Sequence, residues 1–178
     1  MTAGWQAEVV DFWFGLDPAR WFKADPALDE DVRERFQSLW AAQRQCPAET
    51  FLGAADDALA AVVLFDQMPR NMFRGHAEAF ATDPLALAIA KGAVDRGLDD
   101  ALAPKRRGIL YMPFQHSEVL ADQQRSLALF TALGDAEQLR YAHLHHDVIA
   151  RFGRFPQRNP ALGRADRPEE QAADLPRF

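Results

Sequence analysis

The sequence predicts an all-α fold of antiparallel helix hairpins, and three observations carry that prediction. The punctuation is helical: Asp25-Pro26 and Asp83-Pro84 each place a capping acid before a proline suited to a first helical turn, and Gly134-Asp135 reads as one helix's end followed by the next one's cap. Period-two alternation and β-branched residues are sparse, which argues against sheet. The connections between apolar periodic segments are short, so consecutive helices should pack side by side in opposite directions.

The elements follow in order. A short helix is expected over Ala7–Phe14, where FWFG (12–15) reads as core, as does the Trp21-Phe22 pair. A longer one covers Leu28–Gln45. The segment Ala54–Met68 contains ALAAVVLF, apolar on nearly every side, and belongs in the middle of the fold. It should end near Pro69. Pro84–Arg96 follows, with Asp83 as its cap and Gly97 past its end. Lys105–Tyr111 should stop near Pro113. Ser117–Leu133 takes Ser117 as cap, and Asp135–Phe152 carries Gln138 in position for a capping box. A turn or short helix near Pro168–Ala173 closes the chain, and residues 1–178 are read as a single domain.

Composition narrows function. The chain is 48% hydrophobic and 26% charged with a formal net charge of -6, which argues against general nucleic-acid binding. The single Cys46 leaves no disulfide framework and no cysteine-rich metal site. The start, MTAGWQAEVVDFWFG, lacks a basic region and carries acids inside its apolar stretch, unlike a signal peptide, and no apolar run reaches membrane-spanning length. A cytoplasmic protein without membrane contact is expected. Dinucleotide, Walker-type and nucleophile-elbow glycine motifs are all lacking, so no cofactor is implied.

Four stretches break local rules. In LFDQMPRN (64–71), Asp66 shares a stripe with Leu59, Val62 and Val63, placing an acid in the last turn of a buried helix. A buried carboxylate there calls for a cation, and Arg70 and Arg74 are near in sequence. In YMPFQHSE (111–118), His116 should lie just outside a helix whose first turn holds Glu118. In YAHLHHDVIARF (141–152), His145 lies inside the apolar stripe, His146 on its flank and His143 away from it. His143 and His146 lack a third partner at a recognised spacing, so no metal site is assigned. Last, RFGRFPQRNPALGR (151–164) holds four arginines and no acid. Gly153 ends the preceding helix, Pro156 and Pro160 stiffen the segment, and Phe152 and Phe155 can anchor it and stack on guanidinium groups. Its arginines would either neutralise Asp66, Glu118 or Asp122, or bind an anion.

These stretches together resemble the bacterial domain-of-unknown-function 924 family: FWFG, LFDQMPRNMFRG, MPFQHSE with DQ following, and H-x-D-V-I-A-RFGRFP-x-RN-x-x-LGR. The resemblance implies an all-helical fold with hairpins packed like tetratricopeptide repeats, a right-handed array. It does not bring an activity. The family pattern falls on Asp66, Gln67, Arg70, Asn71, Arg74, His116, Glu118, His145, Arg151, Arg154, Arg158 and Asn159. The chain departs from it at Gln157, where histidine is usual, and at Arg167-Pro168-Glu169-Glu170, where a Ser/Thr-led turn is usual.

Three functions are compatible with these residues. Arg70, Arg74, Arg151, Arg154, Arg158 and Arg164 outnumber Asp66, Glu118 and Asp122, which favours a site for a small anion, phosphate or carboxylate, shared with Asn71, His145 and Asn159. The same cluster suits an acid–base enzyme using His145 or His116 with Asp66 or Glu118. A scaffold for a peptide or a second subunit would use the polar residues only architecturally. All three require late arginines to fold back onto Asp66, with Arg154 expected beside it.

Overall fold

The computed structural model describes residues 4–21 and 23–176, so Phe22 of the expected aromatic core lies outside the described residues. Among the described residues ten α-helical segments follow in order: α1 Trp5–Gly15, α2 Pro26–Gln43, α3 Ala55–Val62, α4 Met68–Met72, α5 Asp83–Asp95, α6 Pro104–His116, α7 Leu120–Leu133, α8 Ala136–Phe152, α9 Asn159–Leu162 and α10 Pro168–Gln171. No strand occurs among the described residues, and none of their helices is long and apolar enough to cross a membrane.

Local chemistry accounts for most of the boundaries. The Asp25 carboxylate accepts from the Leu28 N–H at 3.1 Å ahead of Pro26, and Asp135 accepts from Glu137 and Gln138 N–H groups, each at 3.0 Å. The Gln138 side chain turns back onto the Asp135 carboxylate at 2.9 Å, so the box closes through side chains and not through the cap's own N–H. Gly97, Gly134 and Gly153 take φ values of 67°, 79° and 66°, left-handed positions that stop the helices before them.

The segment Ala58–Phe65 is buried at every position and occupies the centre of the core. α3 packs against α1, α5 and α6, and α2 packs against α4. α6, α7 and α8 pack as consecutive neighbours. Trp13 is fully buried and stacks with Trp21 at 6.2 Å, core packing as the sequence implied. A smaller apolar cluster, Val148, Ile149, Phe152 and Phe155 with Ala173 and Leu175, ties the C-terminal segment to α8.

The prolines behave otherwise than expected. The central helix does not end at Pro69: a π-helical turn over Val63–Gln67 joins α3 to α4. The Met68 N–H reaches back five residues to the Val63 carbonyl. Pro69 has no N–H for the Phe65 carbonyl, and the Thr82 hydroxyl replaces it at 2.6 Å while accepting from the Trp40 indole N–H at 3.1 Å. Asp66 is therefore mid-helix, not in a last turn. Likewise α6 runs through Pro113 to His116, with Ile109, Leu110, Pro113 and Phe114 all buried. Burial of this face outweighs the one hydrogen bond that proline forfeits. His116 is the last residue of α6 rather than an outside position, Ser117 caps that end, and α7 starts only after Val119. α5 starts with Asp83 as its first helical residue and Thr82 as its cap, one residue earlier than expected.

Candidate functional site

The π-helical turn swings Asp66 into a fully buried position facing the end of α6. Its carboxylate accepts from His116 Nδ1 at 2.8 and 2.9 Å and from the Gln67 amide, with Arg70 Nη2 at 3.6 Å. Burial works to raise the Asp66 pKa. The Arg70 charge and the bonds from His116 and Gln67 outweigh it and hold the group at about 2, so the carboxylate is ionised. His116 moves the other way: burial and the nearby Arg70 cation lower its pKa, and Asp66 only partly offsets them. The pair is an ionised acid and a neutral imidazole whose hydrogen resides on Nδ1.

Two arginines from distant parts of the chain meet on Asp83. Arg70 donates to Asp83 through Nη1 and Nη2 at 3.0 and 3.1 Å, and also to the Asp66 carbonyl. Arg158 donates to the same acid at 3.3 Å and to the His116 carbonyl at 3.0 Å. The Arg158 guanidinium lies between two rings, 4.7 Å from the centroid of Phe80 and 4.6 Å from that of Phe155. Burial, reinforced by the Arg70 charge, brings its pKa down to about 10.

His145 completes the group. Its ring is 6.0 Å from that of His116 and 5.7 Å from Phe155, and Nδ1 donates to the Tyr141 carbonyl at 2.8 Å. Burial first, then the charges around it, bring its pKa down to about 3, so it too is neutral.

The loop that delivers Arg158 is pinned by Glu118, whose carboxylate accepts from the Phe155 N–H at 2.7 Å and from Arg164 at 2.8 and 3.0 Å. Glu118 thus positions the site from outside the Asp66 cluster, in the link before α7 and not in its first turn.

Other expected members lie elsewhere. Arg154 does not fold onto Asp66: it binds Glu170 through two bonds, at 2.6 and 2.7 Å, and the Ala165 carbonyl at 2.8 Å. Asn159 donates to Glu170 at 3.0 Å and to Asp166 at 2.8 Å, so both residues knit the C-terminal segment together. Asn71 and Arg74 join Asp29 on α2, at 2.8 Å from the amide and at 2.7 and 2.8 Å from the guanidinium. Asp122 is taken by Ser117 at 2.8 Å and by Lys91. Arg151 is exposed, stacks on Phe152 at 4.7 Å, and makes no ion pair among the described residues. It lines a groove of about 370 Å³ between α8 and the chain's end. Gln157, at the position that departs from the family pattern, donates to the Pro176 carbonyl at 3.1 Å.

The expected arginine surplus is thereby corrected. Asp29, Asp83 and Glu170 join the acids, and Arg70, Arg74, Arg154, Arg158 and Arg164 each have an ion-pair partner. Asp83 escaped notice because a capping role explained it. Glu170 did so because the turn around it departs from the family's pattern, although it accepts from the Arg167 N–H at 2.9 Å as a capping acid does. Among the described residues no three His, Cys, Asp or Glu side chains are grouped to hold a metal ion.

A family model described as bacterial protein of unknown function (DUF924) matches residues 9–173. A solved structure of a protein of unknown function from Agrobacterium tumefaciens is 42% identical, with a TM-score of 0.88 over 96% of this chain and 97% of its own. No curated protein matches the chain. With the family model matching nearly its whole length and a solved relative sharing its fold, the chain belongs to the DUF924 family of bacterial proteins of unknown function.

Proposed function

We propose that Arg70, Arg158 and His116 form a binding site for a small oxyanion, a carboxylate or a phosphate. The observation that carries this reading is the compensation of Arg158. Among the described residues its only carboxylate contact is Asp83 at 3.3 Å, an acid that Arg70 already engages through two shorter bonds. Arg158 thus shares its carboxylate with a cation that holds it more closely, and an oxyanion between the guanidinium groups gives it a nearer acceptor. Access supports the reading, since the Arg70 and Arg158 side chains remain 23% and 14% exposed beside the fully buried Asp66.

The test is a thermal-shift series with phosphate, sulfate and small carboxylates on the wild-type chain and on Arg158→Gln. A ligand present at a hundred times its Kd adds about 2.7 kcal/mol of stability, a rise of several degrees in a domain of this size. The rise should vanish in Arg158→Gln. If no anion shifts the wild-type melting temperature at millimolar concentration, the cluster is architectural and the chain is better read as a scaffold.

A further inference from the structure

We infer that the oxyanion taken by this site carries its own O–H, and that His116 Nε2 accepts a hydrogen bond from it. The inference rests on the anion site proposed above and names its ligand class: hydrogen phosphate or a 2-hydroxycarboxylate, which share an O–H beside the charge.

The geometry of the imidazoles is the basis. Asp66 is ionised, buried and can only accept, so the hydrogen of the His116 ring is on Nδ1. Nε2 then carries a lone pair. The His116 side chain is 16% exposed whereas Asp66 has no exposure, and Nε2 is not among the sealed polar atoms that lack a partner. His145 is set in the same tautomer by a different acceptor, the Tyr141 carbonyl at 2.8 Å. Two neutral rings 6.0 Å apart are thus both held with Nδ1 as donor by groups that cannot donate in return.

A ligand made only of acceptors would meet this lone pair with its own. Sulfate and simple carboxylates are of that kind. An O–H beside the charge removes the conflict: the charged oxygens take the hydrogen bonds of Arg70 and Arg158, and the O–H donates to His116.

Calorimetric titration of the full chain compares phosphate with sulfate at about pH 8, where both are dianions of similar shape and only phosphate retains a proton. Lactate against propionate makes the same comparison for carboxylates. The protic ligand should bind tighter by about tenfold or more in each pair. In Asp66→Asn the side-chain amide can donate to Nδ1, which moves the ring hydrogen to Nε2, and the preference should turn toward sulfate. If that variant fails to fold, nitrogen-resolved NMR of wild-type His116 provides the second measurement, and it should show the Nδ1–H form. Equal affinity for phosphate and sulfate, or an Nε2–H ring in the wild type, overturns the inference while leaving the anion site standing. Failure of all four ligands to bind overturns the anion site, and this inference with it.

Discussion

His116 Nδ1 donates to the Asp66 carboxylate at 2.8 Å across fifty residues of sequence, joining the π-helical turn of the central helix to the last residue of α6. Removing the charge should be costly, because Arg70 and a ring nitrogen are both oriented around a carboxylate without solvent exposure. Asp66→Asn is expected to lose about 3 kcal/mol in urea unfolding, the lower end for breaking a buried charged pair. In the wild type this contribution has a defined pH window. The folded pKa of about 2 lies below the ordinary 3.8, so the stabilisation is complete above about pH 4 and is lost as pH falls through 2.

His145 predicts a second, earlier acid sensitivity. Its folded pKa of about 3 is below the unfolded value of 6.5, so the unfolded chain binds the extra proton between these values. Stability should therefore be full above pH 6.5 and decline as the solution is acidified, by up to about 1.4 kcal/mol per pH unit from this group. His145→Gln should flatten the decline between about pH 6 and 4 in a series of denaturant titrations. An unchanged slope in that variant would show that His145 is not the group responsible.

Thr82 tests the account of Pro69. The Thr82 hydroxyl is the donor that the Phe65 carbonyl lacks when proline follows four residues later, and it is buried together with its partners. Thr82→Val keeps the shape and removes the donor, leaving a buried carbonyl and the Trp40 indole N–H without their partner. A loss of about 1–3 kcal/mol is expected from chemical denaturation. Thr82→Ser, which retains the hydroxyl, should recover most of it.

The Arg154–Glu170 pair should govern the C-terminal segment and not the core. Glu170 is held at a pKa of about 2, chiefly by its bonds from Arg154, and it also receives Asn159 and the Arg167 N–H. Glu170→Gln should accelerate limited proteolysis within residues 163–176 severalfold while the far-ultraviolet circular dichroism of the remaining helices is unchanged. Arg158 arrives on the same segment, so anion binding should weaken in parallel. Normal binding with a loosened tail would show instead that Glu118, through Phe155 and Arg164, suffices to position Arg158.

Much of the helical plan was legible in the residues because it depends on near neighbours. The Asp25 and Asp135 caps, the left-handed glycines 97, 134 and 153, and the stripe that buries His145 each need only a few adjoining positions to be recognised. The prolines misled for the same reason. A local rule ends a helix at Pro69, but the replacement donor is Thr82, an unrelated stretch away. Pro113 is carried through by the buried residues around it. Similarly, Asp83 has a sufficient local explanation as a cap, so its role in drawing Arg70 and Arg158 together could not be read from its neighbours.

The sequence by itself determined the helical class, the central burial of Ala58–Phe65 and the residue types available near Asp66. Only the tertiary structure decided the partners: Arg158 rather than Arg154 beside the central cluster, Glu170 for Arg154, Asp29 for Arg74 and His116 for Asp66. The reason is physical. Periodicity and capping are interactions between near neighbours, whereas one arginine suits any of several carboxylates almost equally well. Which of them it meets depends on the surfaces that the packed helices bring together.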